Sequence, residues 1–319
     1  MATATAGVLD RALDRTLIGY SRIGYAARCR LWRQPADARL DGKLVGVTGA
    51  TSGIGLATAT GLARLGASVR LLVRNPERGE TAQAAIVTQA GNDDVSVLVC
   101  DLADLGSVRR CAGHLAAEPL HVLVNNAGVL PRRRELSVDG IELTLATNVI
   151  GPFLLTQLLV PALSAGAGGG GGVIINVSSA GMYTQRIHVD DLQMEREEFN
   201  GVTAYARAKR AEVILTELWA ARLADRGISV HAMHPGWVDT PGLAESLPRF
   251  RRLTRPLLRS AEEGADTIVW LAAAQGEAIG TGGFWQDRRR RPTHRLRRTQ
   301  ESDAERALLW AQCAELAQI

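Results

Sequence analysis

Aromatic side chains are scarce in this chain. Phe, Trp and Tyr make up 4% of its 319 residues, so a core has to be built from Ala, Leu, Val and Ile rather than from stacked rings. Cysteine is scarce too. Cys29, Cys100, Cys111 and Cys313 form no CxxC pair and no metal-ligand spacing. That excludes a disulfide scaffold and a zinc knuckle; no metal site is expected, and free thiols in a reducing compartment are the simplest reading. No uninterrupted apolar run reaches the roughly 18 residues expected of a membrane-spanning helix. The N-terminus has Asp10 and Arg11 close behind its first alanines and threonines, and it lacks the basic and apolar stretches of a secretory signal. A cytoplasmic protein is expected.

A broad charge imbalance is also lacking. The formal net charge is +4, but RRRRPTHRLRR (Arg288 to Arg298) alone holds seven arginines and no carboxylate. Without that run the remainder carries about −3, so the basicity is local. Such a run can bind nucleic acid or anionic lipid. No aromatic stacking platform or recognition helix accompanies it, so nucleic acid is not expected as a partner, and the run is expected to be a solvated, partly flexible loop.

What is present is a globular α/β composition, with 46% hydrophobic residues and 33 glycines. Residues 1–40 form a prefix in which Leu9, Leu13, Leu17, Ile18 and Ile23 recur at roughly helical spacing among Asp10, Arg11, Asp14 and Arg15. An amphipathic helix is expected there, clasping the body or making peripheral contact with a membrane. Strand and helix then alternate. Strands are expected at Lys43–Thr48, Ala67–Val73, Val95–Cys100, His121–Asn125, Gly172–Asn176, Ile228–Met233 and Phe284–Gln286. Helices are expected at Gly53–Leu65, from Asn75-Pro76-Glu77 to about Gln89, from Asp104 to Ala117, at Ser137–Leu163 with a bend at Gly151-Pro152, and at Ala204–Asp225, Ala261–Ala274 and Glu301–Gln318. Ala307, Leu308, Trp310, Ala311 and Leu316 are expected to pack the last of these. The glycine-rich residues 166–172 read as a slack connector, because a strand follows them and not a helix. Alternation of this kind implies one doubly wound Rossmann-type domain with a mainly parallel sheet, over 41–287, with the helical prefix before it and the Arg-rich segment and C-terminal helix (288–319) after it.

The chain is organised around Thr48-Gly49-Ala50-Thr51-Ser52-Gly53-Ile54-Gly55, which lies between the first strand and the first helix. Gly49 permits a tight turn, Gly53 lets the backbone approach a pyrophosphate, and Gly55 lets helix and strand pack closely. The helix N-terminus offers free N–H groups and a positive dipole end to phosphate. Further on, Tyr205 and Lys209 in YARAK stand four residues apart and share a helix face. An ammonium beside a phenol favours the phenolate and brings its usual pKa of about 10 toward a useful acid–base range. Ser178-Ser179 end one strand, where open α/β sheets bind ligands, and a serine there can hydrogen-bond a carbonyl or alcohol. Asn125-Asn126-Ala127-Gly128 end another, with Asn148 in the helix that follows.

In this order the stretches resemble the short-chain dehydrogenase/reductase family. TGxxxGxG, NNAG, the strand-end serine, YxxxK and the turn Pro235-Gly236 with Thr240 span roughly residues 43–286. The 25 residues between Ser179 and Tyr205, with IHVDDL (Ile187 to Leu192), resemble the retinol-dehydrogenase-like branch, and HPGWVDTPG (His234–Gly242), GADTIVWLA (Gly264–Ala272) and FWQDR (Phe284–Arg288) narrow it to one subgroup. The resemblance implies a tetrad. Tyr205 would exchange a proton with the substrate oxygen, Lys209 would assist it and bind the nicotinamide ribose, Ser179 rather than Ser178 would hold the substrate oxygen, and Asn148 would support a water relay to Lys209. It also implies cofactor contacts from Thr48, Gly49, Thr51, Ser52, Gly53, Ile54 and Gly55, from Asp101 and Leu102 near the adenine, from Asn126, Ala127 and Gly128, and from Pro235, Gly236, Val238 and Thr240 around the nicotinamide. A homodimer through the two long helices is common among relatives.

The choice of cofactor can be argued physically. NAD enzymes of this architecture carry an acid about 20 residues past the glycines to bind the ribose 2′-OH. Here that place holds Val73 followed by Arg74. A guanidinium without a carboxylate suits a 2′-phosphate, so NADP(H) is expected over NAD(H). The function expected is interconversion of an alcohol and a carbonyl on an apolar small molecule of lipid, retinoid or steroid type, because the stretch Gly236–Ser260, expected to be a loop able to cover an apolar pocket, is rich in Leu, Pro and Phe. Two other uses stay open: a cofactor-binding regulatory protein with little turnover, and an epimerase or dehydratase using the same Tyr/Lys pair.

Overall fold

The computed structural model of the protein describes residues 10–14, 16–30, 32, 39–166, 171–274 and 279–319. Among these, eight strands form one sheet: β1 (Leu44–Thr48), β2 (Ser68–Val73), β3 (Val95–Val99), β4 (Val122–Asn125), β5 (Gly172–Val177), β6 (Ile228–Met233), β7 (Phe284–Gln286) and β8 (Arg289–Arg291). Their spatial order is β3-β2-β1-β4-β5-β6-β7-β8, parallel throughout except for the antiparallel β7–β8 pair. The helices are α1 (Arg22–Cys29), α2 (Gly53–Arg64), α3 (Pro76–Ala90), α4 (Leu105–Leu115), α5 (Leu143–Gly166), α6 (Gly201–Leu223), α7 (Pro241–Ser246), α8 (Pro248–Thr254), α9 (Ala261–Ala273) and α10 (Asp303–Leu316).

The strands are short and apolar because both faces are covered. Leu123 and Ile174 point to one side, under α4, α5 and α6. Their neighbours Val122, Val124, Val173 and Ile175 point to the other, under α2, α3 and α9. Each of these is sealed from water, and burying such a side chain contributes about 1.5–3 kcal/mol. The helix ends follow local chemistry. Asn75 caps α3 ahead of Pro76, and Gly91 closes it at φ +65°. Asn200 caps α6, which therefore begins three residues before its expected start, and α9 and α10 open on the capping boxes Ser260/Glu263 and Ser302/Glu305.

Several expectations need correction. The helix expected from Ser137 starts at Leu143. Residues 137–140 instead form a turn closed by Gly140 at φ +78°, and the Glu142 carboxylate caps the helix by accepting from the Thr144 and Leu145 amides at 2.8 Å. The bend at Gly151-Pro152 takes the form of a wide π turn, Ala146–Ile150, just ahead of it. This helix is long and apolar enough to cross a membrane, but most of it lies inside the core. The stretch 236–260 is no plain loop, since it contains α7 and α8. On α10 the buried residues are Leu309 and Cys313, while Leu308 is 43% exposed and Ala307 and Ala311 also face out. Trp310 packs edge-on against Phe153 and Trp219, so α10 lies against α5 and α6. The connector residues 167–170 lie outside the described residues.

The largest correction concerns the two charged ends. Part of the arginine run is a strand and a set of ion pairs rather than a solvated loop, while Arg290, Arg297 and Arg298 stay exposed. Arg288 pairs with Asp266, Arg291 with Asp10 and Arg295 with Asp14. The prefix clasps the body through its polar side. Asp10, Ser21 and Arg28 are buried, whereas Leu17, Ile18 and Ile23 are 67%, 53% and 55% exposed; Leu9 lies outside the described residues. Asp287 accepts from Arg259 at 2.6 and 2.9 Å and from Arg28 at 2.6 Å, and the Gly19 carbonyl accepts from Arg28, Arg259 and Gln286.

Strand order reverses between β1 and β4, which opens a crevice at their C-terminal ends. The glycine stretch, NNAG, Ser178-Ser179 and Pro235-Gly236 follow β1, β4, β5 and β6 at that same edge.

Candidate active site

The floor of the crevice is backbone held by backbone. Gly49 has φ +66°, and a Cβ there would lie 2.9 Å from the Cα of Ala127. A Cβ on Gly55 would run into the Gly49 carbonyl and the Asn126 amide. The Thr48 hydroxyl accepts from the Asn126 and Ala127 amides at 2.9 and 3.0 Å, and Asn126 Nδ2 donates to the Thr48 carbonyl at 2.9 Å. The β1 and β4 turns are thereby stitched into one cradle. Ser52 stands at the N-cap of α2 but accepts no bond from the helix. The caps of α3, α4, α6, α9 and α10 all do accept one. The first amides of α2 are therefore left for an anion from outside. Thr51, Gly53 and Ile54 are half-buried beside them.

Around the cradle, Val73 ends β2 in the core and Arg74 stands exposed next to it, with no carboxylate partner among the described residues. Asp101 accepts from the Ala103 amide at 2.9 Å. Leu102 is buried in the core with its carbonyl against Gly151. On the far wall, Gly236 has φ +86°, and a Cβ there would clash with the Arg259 guanidinium. Val238 is buried and bridges to Arg259. Thr240 caps α7, and its methyl lies 3.1 Å from where a Gly53 Cβ would stand. The turn after β6 thus leans over the glycine loop.

The four residues of the expected tetrad sit on three elements. Lys209 is buried on α6, one turn below Tyr205, with its ammonium 5.4 Å from the centre of the Tyr205 ring. Asn148 sits in the π turn of α5. It is locked by accepting from the Val129 amide at 2.8 Å and donating to the Val129 carbonyl at 3.1 Å. Gly128 brings these together, because a Cβ on it would lie 3.4 Å from both Asn148 Oδ1 and Lys209 Nζ. The two serines after β5 divide their work. Ser178 is buried and donates to the Lys209 carbonyl at 2.8 Å, whereas Ser179 is partly open at the head of a short 3-10 turn. That leaves Ser179 as the one free to meet a ligand.

Lys209 Nζ donates to the Val177 carbonyl at 2.9 Å and to the Glu212 carboxylate at 2.6 Å. Burial alone would lower the lysine, but Glu212 and Tyr205 more than offset it and hold the ammonium above its usual range. Burial pushes Glu212 up to about 7 against the attraction of Lys209. Its Oε2 atom has no hydrogen-bond partner among the described residues. His234 is likewise buried. It accepts from the Ala180 amide through Nδ1 at 3.2 Å and so ties the Ser179 turn to Pro235, and burial, aided by Arg259, pushes it down to about 3, leaving it neutral. Sequence reasoning missed Glu212, His234 and Arg259. Only Glu212 left a signal, its spacing of three from Lys209 on one helix face.

A family profile described as short chain dehydrogenase matches residues 43–249. The chain is 40% identical over 302 residues to dehydrogenase/reductase SDR family member 12 of Bos taurus, covering 93% of this chain and 94% of the relative. It is 38% identical over 258 residues to retinol dehydrogenase 11 of Homo sapiens, covering 79% of each. Among solved structures, that of an uncharacterized protein from Mycobacterium Paratuberculosis superposes with a TM-score of 0.71 at 31% identity, covering 90% of this chain and 97% of the other.

Proposed function

The chain belongs to the short-chain dehydrogenase/reductase family, as an oxidoreductase with retinol-dehydrogenase-like relatives, and on that premise we propose that it interconverts an alcohol and a carbonyl on an apolar small molecule with NADP(H). The observation that carries this reading is the convergence of Tyr205, Lys209, Asn148 and Gly128 beside a glycine cradle. The cradle fits a dinucleotide. It has no room for side chains at Gly49 or Gly55, and the amides opening α2 await an anion. A nicotinamide dinucleotide bound there would give or take the hydride. Thr48 to Gly55 would hold the pyrophosphate, Asp101, Asn126 and Ala127 the adenosine side, Lys209 the nicotinamide ribose, and Pro235, Gly236 and Thr240 the nicotinamide.

The chain's own residues supply the proton chemistry. Ser179 donates to the substrate oxygen and fixes it near Tyr205. In reduction, the Tyr205 hydroxyl gives its proton to that oxygen as negative charge develops there, and the neighbouring Lys209 ammonium offsets the charge left on the phenol. In oxidation the same atoms run in reverse. Asn148, held at both ends by Val129, keeps the NNAG turn against Lys209. Trp237, which packs edge-on against Phe250, and Leu253 of α8, which is 79% exposed, supply an apolar rim and support an apolar substrate.

Tyr205→Phe tests the mechanism. NADPH-dependent carbonyl reduction should fall by about 10³-fold, since a positioned acid contributes 10²–10⁴, while the NADPH dissociation constant stays within a few fold. Unchanged turnover would refute the reading. Arg74→Asp tests the cofactor: it should weaken NADPH binding at least tenfold and leave NADH binding little changed. A wild-type enzyme that prefers NADH would end that part of the proposal.

A further inference from the structure

Glu212 lies one helical turn beyond Lys209, on the side away from the glycine cradle. It is 8% exposed and hydrogen-bonded to Lys209 through one oxygen only. Behind it is a small, partly open recess of about 20 Å³, room for a single water. Its polar lining is Asn148, Thr156, Asn176 and Glu212, and its apolar lining includes Leu215 and Trp219. Polar side chains rarely meet in such a place without a purpose. Asn176 donates to Thr216 at 2.8 Å and accepts from Asn125 at 2.9 Å, while Asn125 Oδ1 and Glu212 Oε2 have no protein partner among the described residues. An unsatisfied acceptor such as Glu212 Oε2, at a recess partly open to solvent, is where ordered water binds.

We propose that Glu212 is a positioning residue that holds a proton for Lys209, and that the Asn148–Asn176 recess is the path by which it exchanges that proton with solvent. The inference rests on the oxidoreductase reading above. In carbonyl reduction the Tyr205 O–H bond breaks and its proton goes to the substrate oxygen, while the carbon would take the hydride that a bound nicotinamide supplies. Lys209 then gives one N–H proton to the phenolate and becomes a neutral amine. The Glu212 carboxyl gives its proton to that amine and becomes a carboxylate, which takes a proton from water in the recess. The net transfer is one proton from solvent to substrate, and every side chain returns to its starting state. Glu212 suits the task because burial and the lysine pull its proton affinity in opposite directions, so that both forms are accessible near neutrality. The titratable groups facing it are Lys209 and, beyond that, Tyr205, both on α6; α5 and β5 present only amides and a hydroxyl to it.

The test needs two readouts. The first requires no substrate. In the full-length protein labelled with ¹³C at glutamate Cδ, NMR should show one carboxyl titrating near pH 7. That signal should be absent in Glu212→Gln and should move to higher pH in Lys209→Met, which removes the attraction. If no carboxyl titrates above about pH 6, or if Lys209→Met leaves the midpoint in place, the proposal is overturned. The second is NADPH-dependent reduction of retinaldehyde as a probe. In the wild type, kcat should fall as pH rises through about 7. In Glu212→Gln that inflection should vanish and kcat at pH 6 should drop about tenfold, with KM within twofold, while Glu212→Asp should recover part of the loss. Matching pH profiles in the wild type and Glu212→Gln overturn the proposal. A wild type that reduces no carbonyl overturns the oxidoreductase reading instead, and the carboxyl titration then decides the role of Glu212 by itself.

Discussion

Asp287 and Glu212 are both carboxylates closed off from solvent, and both face basic side chains, yet their surroundings push them in opposite directions. Asp287 is 1% exposed, and each of its oxygens is met by a guanidinium N–H, from Arg259 and Arg28. Burial would raise it, but the two arginines outweigh burial and hold it below the ordinary range. Glu212 has one ammonium for company and one oxygen left over, and burial wins. The difference lies in the number of partners. A carboxylate matched by planar forks on both oxygens stays an anion at any working pH and serves as a clamp. One that is half matched changes state within the working range and can serve in chemistry. The first ties the prefix and the β7–β8 hairpin to the loop beside Gly236. The second backs the Tyr205–Lys209 pair.

The sharpest way to break the comparison is Asp287→Ala. It would strand Arg28 and Arg259 in the interior without their anion, and removing one member of a buried ion pair costs about 3–5 kcal/mol. Urea unfolding should show a loss of that size, and limited proteolysis should cut the prefix faster, because Arg28, the Gly19 carbonyl and Arg259 meet around this one carboxylate. A loss below about 1 kcal/mol would mean that the clamp is merely a contact.

The same contrast explains what could be read from the chain. The cradle, the YxxxK pair and the strand ends were legible because each is local: a glycine turn, an i,i+4 spacing, a short apolar run. The caps Asn75 and Asp104 belong to the same class, although the start of α6 was missed because Asn200 lies beyond the apolar pattern. The clamp was not legible. Arg28 and Asp287 are 259 residues apart, and no periodicity connects them. The prefix misled for the same reason, since its leucines and isoleucines announced an amphipathic helix while its charges found the partners. On α10 the run Ala307-Leu308-Leu309-Trp310-Ala311 is apolar on every side, so spacing could not distinguish Leu309 from Leu308. Ser178 and Ser179 were separable only by resemblance until the Ser178 bond to the Lys209 carbonyl assigned it to the scaffold.

A gentler test sharpens the comparison through the sign of a pH dependence. Asp287 is depressed when folded, so its contribution is complete above its unfolded value of about 3.8 and is lost as pH falls through the folded one. Glu212 is raised when folded, so its contribution is complete below about 4.5 and is lost as pH rises toward about 7. Between those two values the folded chain holds a proton at Glu212 that the unfolded chain releases, and stability should decline by about 1–3 kcal/mol from this site alone. Urea unfolding of the wild type and Glu212→Gln at pH 5, 6, 7 and 8 isolates it. The variant should be flatter across pH 5 to 7 and should run parallel to the wild type above pH 7. Asp287 cannot mimic this slope, because its own window lies below pH 4. Parallel curves over the whole range would put Glu212 in the same class as Asp287, an anion fixed by its lysine, and the difference in partner number would then have no consequence for protonation.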